Sequence, residues 1–384
     1  MLLCNLKIIS QQSTTNILVE NDKITNIIDN ENIVSCPPST PRIYFENAIA
    51  FPGLINSHDH LDFNLFPLLG NRVYNSYIDW GADIQKHDKH IIENITRIPK
   101  QLRAQWGVYK NLLNGITTVI QHGEHLKIEN PVIDVVQNCH SLHSVGREKN
   151  WKLKLNNPFA NRQPFVIHVG EGTNKESSEE IDKLIRWNLF KRQLIGVHGV
   201  SMNHLQARAF EALIWCPASN YFLLNATAKI NEIKRETKIL FGTDSTVSAN
   251  WNLWEQLRLA RKTKLLSDEE LFISLTSLPA SVWKLTNRGA IGRGNYADIV
   301  VAKKVNDSHP MNSFFDIHPE EILVIVKNGE VILLDESLLS QLPLNVNKFS
   351  KVSINSIAKY VKGDLSKVVK HIKEYAPDIQ LPLT

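Results

Sequence analysis

No stretch of the chain approaches the ~18 consecutive apolar residues of a membrane-spanning helix, so no span is expected. The start, MLLCNLKIISQQ, lacks a basic segment followed by a long apolar core and a small-residue cleavage site. A cytoplasmic location is therefore expected. Cysteine is scarce. Cys4, Cys36, Cys139 and Cys216 lie far apart and form no Cys-x-x-Cys, which argues against a disulfide framework or a thiolate metal site and leaves buried, reduced thiols. Nor is there a dense Lys/Arg block with interleaved aromatics, and a net charge of +4 is small for 384 residues. Neither nucleic acid nor a membrane surface is an expected partner. Internal repeats and low-complexity tracts are also missing. What the chain does have is 43% hydrophobic residues, ample for a sizeable core at this length.

Three compositional regions follow one another. The first ~50 residues read as β, with NILVE and KITNII flanking a tight turn at Asn21-Asp22 before SCPPSTP breaks the pattern. From Phe51 to Leu285, the strand-like runs GITTVIQ, FVIHV, LIGVH, ALIWC and KILFGTD alternate with helical patterns. SSEEIDKLIRWNLFKRQ and SDEELFISLTS each open with a Ser-x-x-Glu capping box. Alternation of this kind predicts an α/β fold with a parallel sheet, either a (β/α) barrel or a doubly wound fold. ADIVVAKK and ILVIVKNGEVILL then return to β, the second as a hairpin around Asn328-Gly329. The expected organisation is a small β-sandwich from both termini (1–49 plus 288–335), a barrel over 50–287, and an amphipathic helical appendage over 336–384. The appendage's apolar stripe could dock on the barrel or on a second copy, so a homo-oligomer is allowed.

Polar residues sit where the predicted strands stop. His58 and His60 follow FPGLIN, His168 follows PFVI, His198 follows LIGV, and Asp244 follows KILFGT. The His-x-His pair alone says little, because 14 histidines in 384 residues predict about 0.5 such pairs by chance. In a (β/α) barrel, however, all C-terminal strand ends converge on one mouth. Several imidazoles and a carboxylate gathered there suit Zn²⁺ or Fe²⁺ with a position left for water.

The order FPGLINSHDHL, NGITTVIQHG, IHVGEG, GVHGVSM, CPASNYFLL, LFGTDS, GAIGRGNYADIVV resembles the amidohydrolase superfamily. Within it the likeness is to the aminohydrolase branch of cytosine deaminase, guanine deaminase and the chlorohydrolases, over residues ~45 to 335. The resemblance implies a (β/α)8 TIM-like barrel holding one divalent metal, Zn²⁺ first and Fe²⁺ second, on His58, His60, His168 and Asp244. It implies Glu171 as proton shuttle and His198 as the group that orients the water and the intermediate. The implied function is hydrolytic attack on an sp² carbon bearing nitrogen, foremost deamination of a small nitrogen heterocycle. Hydrolysis of a cyclic C–N bond is the alternative, and a catalytically silent binding subunit is the reading from another class.

The chemistry can also be stated from the residues. Neutral imidazoles leave most of a metal's charge uncompensated, which lowers the pKa of bound water to as little as about 7. Asp244 can accept the water proton, Glu171 can act as general acid and base, and His198 can stabilise by hydrogen bonding. Ser219 and Asn220 would fix either the substrate or the seventh-strand turn. His122 and His125, His140 and His143, and His87 and His90 share a +3 spacing, which selects none of them, although His122 follows the second strand. Only about 45 residues separate GITTVIQ from FVIHV, a tight fit for two further strand-helix units. The barrel is thus expected to be shortened around strands 3 and 4, with REKNWKLKLNNPFANRQPF filling the gap. Lys152 or Lys154 as a metal-bridging carboxylated lysine ranks low. Trp80, Trp106, Trp151 and Tyr221 are candidates to sandwich a planar ring, and Arg72, Arg147 and Arg162 to bind an acidic substituent.

Overall fold

The computed structural model describes residues 1–9, 11, 13–29, 37–305 and 309–383; Cys36 lies outside them. The N-terminal strands are β1 (Leu2–Ile8), β2 (Thr14–Glu20), β3 (Lys23–Asp29) and β4 (Arg42–Pro52). β2 and β3 pair antiparallel from Glu20 to Lys23 around Asn21, whose φ is +52°. The parallel centre begins with β5 (Leu54–Asp59), β6 (Ile116–Gln121) and β7 (Asp134–Val136). It continues with β8 (His140–Ser144), β9 (Phe165–Val169), β10 (Leu194–His198), β11 (Ala212–Trp215) and β12 (Lys238–Phe241). β13 (Ile299–Lys303), β14 (Ile322–Lys327), β15 (Glu330–Asp335), β16 (Phe349–Ile354) and β17 (Ile357–Lys362) complete the strands.

A single nine-stranded hydrogen-bonded sheet, ordered β16-β17-β15-β14-β13-β4-β1-β2-β3, joins the strands of both termini and runs past the expected boundary at 335 into 349–362. Its continuity comes from β4, an 11-residue strand that pairs parallel with β1 on one edge and antiparallel with β13 on the other. The helical reading of 349–362 is likewise corrected. KVSINSIAKYV alternates with period 2 around Asn355-Ser356, both at positive φ, and forms the β16–β17 hairpin, which extends the sheet through β15. Only Leu365–Tyr375 is helical in that region, and Leu365, Val368 and Ile372 pack into the core with Tyr109, Leu112 and Leu113 of the helix Lys100–Leu113. The capping box at Ser267 and Glu270 forms as expected. The helix Lys175–Trp187 starts earlier than SSEE, because Asn174 accepts from Ser177 N and caps it upstream.

The centre consists of two all-parallel sheets, β5-β6-β7 and β12-β11-β10-β9-β8. β5, β6, β9, β10 and β11 are buried on both faces, as parallel strands under helices are. Val166, Ile195, Val197, Ile214 and Leu240 belong to one cluster, while the alternating Phe165, Ile167, Leu194, Leu213 and Ile239 belong to another. The expected shortening lies between β7 and β8, which are separated by residues 137–139 alone. A crossover to a parallel neighbour needs a dozen or more residues. The chain therefore runs straight from one sheet into the other without an intervening helix. At the opposite edges, β5 and β12 are bridged by the segment around Leu275: Phe241 N donates to Ser274 O at 3.1 Å and Ile55 N to Leu275 O at 2.8 Å. No helix among the described residues is long and apolar enough to cross a membrane.

Candidate active site

His58, His60, His168, Glu171, His198 and Asp244 come together at the C-terminal ends of β5, β9, β10 and β12. Two of these positions are backbone exceptions. His198 and Asp244 have φ of +71° and +55°, a left-handed conformation that disfavours non-glycine residues and clusters at functional sites. Each turn is held from outside: Gly199 N donates to Val169 O at 3.0 Å and Asp244 N to His58 O at 3.1 Å.

Three of the imidazoles are oriented by their outer nitrogens. His60 Nδ1 lies 3.0 Å from His122 O, His168 Nδ1 2.8 Å from His143 O, and His198 Nδ1 2.8 Å from Asn220 Oδ1. A carbonyl oxygen can only accept, so each Nδ1 carries the proton and each Nε2 offers a lone pair. Those Nε2 atoms converge. His58 Nε2 lies 3.4 Å from His168 Nε2 and 3.8 Å from Asp244 Oδ1, and His60 Nε2 is 4.0 Å from the same oxygen. Ligands at ~2.1 Å around a tetrahedral ion stand about 3.4 Å apart.

Electrostatics sharpen the assignment. Burial holds His58 and His168 well below the ordinary histidine range, with neighbouring imidazoles adding to the effect, and burial also lowers His198. Burial works against ionisation of Asp244, yet His198, His60 and the Ser219 hydroxyl outweigh it and keep the carboxyl low. Ser219 and Ser248 hydroxyls donate to Asp244 Oδ2 at 2.8 and 3.0 Å, and Ser245 N donates to Oδ1 at 2.8 Å. Neutral imidazoles whose lone pairs point at one another and at a carboxylate repel unless a cation sits among them. The donor set thus fits a divalent metal of borderline softness. Glu171 belongs to neither group of candidate metal ligands, and its Oε2 lies 3.6 Å from His198 Nε2. Burial, then the charges of Asp244 and Glu180, push its carboxyl well above the ordinary range.

Beneath the two β5 histidines lies a polar network that local sequence patterns do not disclose. Asp59, fully buried between the histidines in sequence, receives Lys110 Nζ at 2.9 Å, Asn111 Nδ2 at 2.7 Å and Asn64 Nδ2 at 2.9 Å. Lys110 also reaches Thr243 Oγ1 at 3.4 Å, and Asn56 clasps Thr243 from the other side, its Nδ2 donating to Oγ1 at 2.7 Å and its Oδ1 accepting from N at 3.0 Å. One network therefore ties β5 to the segment carrying Asp244. Gly107 lets the Lys110 helix approach: a Cβ there would collide with Leu61 O. The only sequence signal for this network was a lysine amid the apolar residues of GVYKNLL.

Above the cluster opens a cavity of about 740 Å³. Trp80 lines it together with Phe63, whose ring stacks on His60 at 5.6 Å. Trp106 and Trp151 are core residues, and Tyr221 is not on the cavity wall. His122 joins the imidazole group, 4.5 Å from His168 between ring centroids, and His143 lines the wall; His87, His90, His125 and His140 do not. Lys154 pairs with Glu148 at the mouth and Lys152 lies over the Trp187 ring, so neither approaches the histidine cluster. Arg72 pairs with Asp83, and Arg162 lines a different cavity. Arg147 is on the wall.

Residues 159–332 match the amidohydrolase family. A 5-methylthioadenosine/S-adenosylhomocysteine deaminase of Caldicellulosiruptor saccharolyticus is 25% identical over 390 residues, covering 84% of this chain and 90% of its own. A 5'-deoxyadenosine deaminase of Methanococcus aeolicus is 22% identical over 415 residues, covering 86% and 95%. Among solved structures, an adenosine deaminase of Xanthomonas campestris with bound zinc superposes with a TM-score of 0.72 at 15% identity, over 98% of this chain and 99% of that one.

Proposed function

We propose that this chain, which carries an amidohydrolase family domain, is a metal-dependent aminohydrolase that deaminates a small nitrogen heterocycle. The observation that carries the proposal is the separation of roles in one mouth: converging Nε2 atoms and an ionised Asp244 on one side, a protonatable, non-converging Glu171 on the other. The deaminase names of both sequence relatives, whose full lengths are nearly covered, support the same reaction. We take the two parallel sheets as one (β/α) barrel shortened at β7–β8, with the nine-stranded sheet as the second unit. The free Cys139 and Cys216 suit a cytoplasmic protein.

His58, His60, His168 and Asp244 would hold the metal, zinc first. When bound, such a cation supplies Lewis acidity and makes water acidic near neutrality. Asp244, kept ionised by its hydroxyl and backbone donors, accepts a proton from the attacking water. Glu171, kept protonated by burial, donates to a ring nitrogen of the substrate, which draws electrons away from the carbon under attack. His198 presents a lone-pair Nε2, since its Nδ1–H is given to Asn220, and so accepts a hydrogen bond from the attacking oxygen and orients it. The proton held by Asp244 then passes to the departing nitrogen and ammonia leaves, while Glu171 takes the remaining hydroxyl proton as the product's carbonyl forms, so both carboxyls return to their starting states.

The test is ammonia release by zinc-loaded protein from a panel of adenine nucleosides, guanine and cytosine, with Glu171→Gln as control. Ammonia from at least one member, lost in the control, supports the proposal. Ring opening without ammonia would replace it with cyclic C–N hydrolysis, and no turnover by protein that binds no metal would promote the silent-subunit reading.

A further inference from the structure

Two segments far apart in sequence form one flank of the parallel centre. Residues 149–162 contain the short helix Trp151–Leu155, and residues 183–193 close the helix Lys175–Trp187 and lead into β10. Asn156 joins them: its Nδ2 donates to Trp187 O at 2.8 Å and its Oδ1 accepts from Leu189 N at 3.1 Å. Arg192 adds a second clasp, donating to Asn157 O at 2.6 Å and to Ala160 O at 3.3 Å. On this frame stand Leu153, Phe159, Trp187, Leu189 and Phe190, exposed by 74, 92, 39, 65 and 54%. Phe159 and Leu153 are the two most exposed large apolar side chains among the described residues. Large apolar side chains gathered on one exposed flank mark an interaction surface.

The same segments carry charge of one sign. They hold eight Lys/Arg and no Asp/Glu, whereas the whole chain has a net charge of +4, so the rest of the chain is acidic on balance. The acids at their borders are engaged. Glu148 faces Lys154 at 2.8 Å, Glu179 faces Lys175 at 3.2 Å, and Asp182 accepts from Gln206 at 2.8 Å. Lys149, Lys152, Lys183, Arg186, Lys191 and Arg192 form no ion pair among the described residues. Lys152 Nζ stands 4.0 Å above the Trp187 ring, which carries its charge right beside the apolar tips.

We propose that this flank docks the protein on an anionic lipid surface. Leu153, Phe159, Leu189 and Phe190 enter the boundary between headgroups and acyl chains, Trp187 lies at headgroup level, and the surrounding cations meet the negative lipids. A second copy is the poorer occupant, because a two-fold contact sets the same cations against one another. Nucleic acid is poorer too: bases stack on aromatic rings, but Leu153 and Leu189 offer no π face. The sequence discloses no such partner, because neither half is a dense cationic block and only folding joins them. Docking here leaves the active site free. Phe159, Leu189 and Phe190 precede β9 and β10, at the strand ends opposite His168 and His198, so the mouth stays open to water.

The test is sedimentation of the protein with vesicles of phosphatidylcholine alone and of an equimolar mixture with phosphatidylserine. Partitioning should favour the mixed vesicles by about tenfold or more, and should fall as added salt screens the surface. Arg186→Gln/Lys191→Gln should lose about fivefold for each charge removed. Phe159→Ser/Phe190→Ser should lose about tenfold or more through forfeited apolar burial. Both variants should keep the wild-type melting temperature, because the replaced side chains stand in water, and this separates lost docking from lost folding. Absent binding, equal binding to the two kinds of vesicle, or binding unmoved in either variant overturns the proposal. If vesicles do not bind while light scattering shows a dimer that Phe159→Ser/Phe190→Ser dissolves, the flank belongs to a second copy and the proposal falls. Binding of a single-stranded oligonucleotide in place of vesicles would overturn it equally.

Discussion

Lys110→Met is the most revealing single substitution away from the cavity. In the native protein Lys110 is 1% exposed and Asp59 fully buried, with Nζ and Oδ2 2.9 Å apart. Methionine replaces the stem of the lysine and removes its charge, leaving Asp59 as a buried carboxylate held only by neutral amides. Breaking a buried ion pair in this way costs about 3–5 kcal/mol. Because Asn111 and Asn64 still donate to Asp59, the lower figure applies. At ~2.1 cal/mol/K per residue the unfolding entropy of a chain this size is about 0.8 kcal/mol/K, so 3 kcal/mol corresponds to about 4 °C in melting temperature. Scanning calorimetry of chelator-treated and zinc-loaded protein would read this loss, and elemental analysis would read the accompanying fall in zinc retention as the β5 histidines lose their support. Adding Asp59→Asn to the variant removes the stranded charge and should recover at least half of the loss. A loss below about 1 °C, or no recovery in the double variant, would refute the claim that the pair braces the metal ligands.

Other outcomes follow from the same geometry. Glu171→Gln should lower kcat by 10²- to 10⁴-fold, as loss of a general acid does, while metal content stays at the wild-type level. Dialysis against a chelator should lower the melting temperature by about 5 °C, the shift given by zinc at ~1,000 times its dissociation constant; His58→Ala/His60→Ala protein should show no zinc response. Glu180 is pushed up to about 7, chiefly by burial. Its folded form holds the proton more tightly than the unfolded chain does, so stability is full below pH 4.5 and falls as the pH rises to 7. The fall amounts to about 3 kcal/mol. Glu180→Gln, which keeps an acceptor for Gly170 N, should flatten that stretch of the stability curve and be the more stable form at pH 8. Parallel curves for variant and wild type would exclude this account.

The cluster was legible because it needed only two local signals, where apolar strands stop and which polar residue comes next. His58, His60, His168, His198 and Asp244 all satisfied both. Glu171 entered through the family resemblance, and the structure places its carboxyl beside His198. The squeeze between GITTVIQ and FVIHV was legible from length alone. Its resolution, a chain passing from β7 into β8 without a helix, was not, because periodicity does not say which sheet a strand joins. The merging of both termini into one sheet turned on β4 pairing on both edges, which is a tertiary fact. KVSINSIAKYV was misread as helix because its apolar residues fit a helical stripe as well as an alternation, and the Asn355-Ser356 turn decided the matter. The Asp59 network joins positions as distant as Asn56 and Thr243, where a single sequence carries almost no signal.

The helix Leu365–Tyr375 lies against the outside of Lys100–Leu113, the helix whose inner side presents Lys110 to Asp59. On the ribosome these partners are made far apart in time. At 5–20 residues per second the interval from Lys110 to Leu365 is on the order of 10–50 s. Throughout it the helix that carries the brace beneath His58 and His60 lacks the cover of Leu365–Tyr375 and rests on its contacts with Leu61–Phe63 and β6. The catalytic cradle is encoded early in the chain but is covered late, so a premature stop between Ser248 and Leu365 leaves every cavity residue translated and the Lys110 helix without its outer partner.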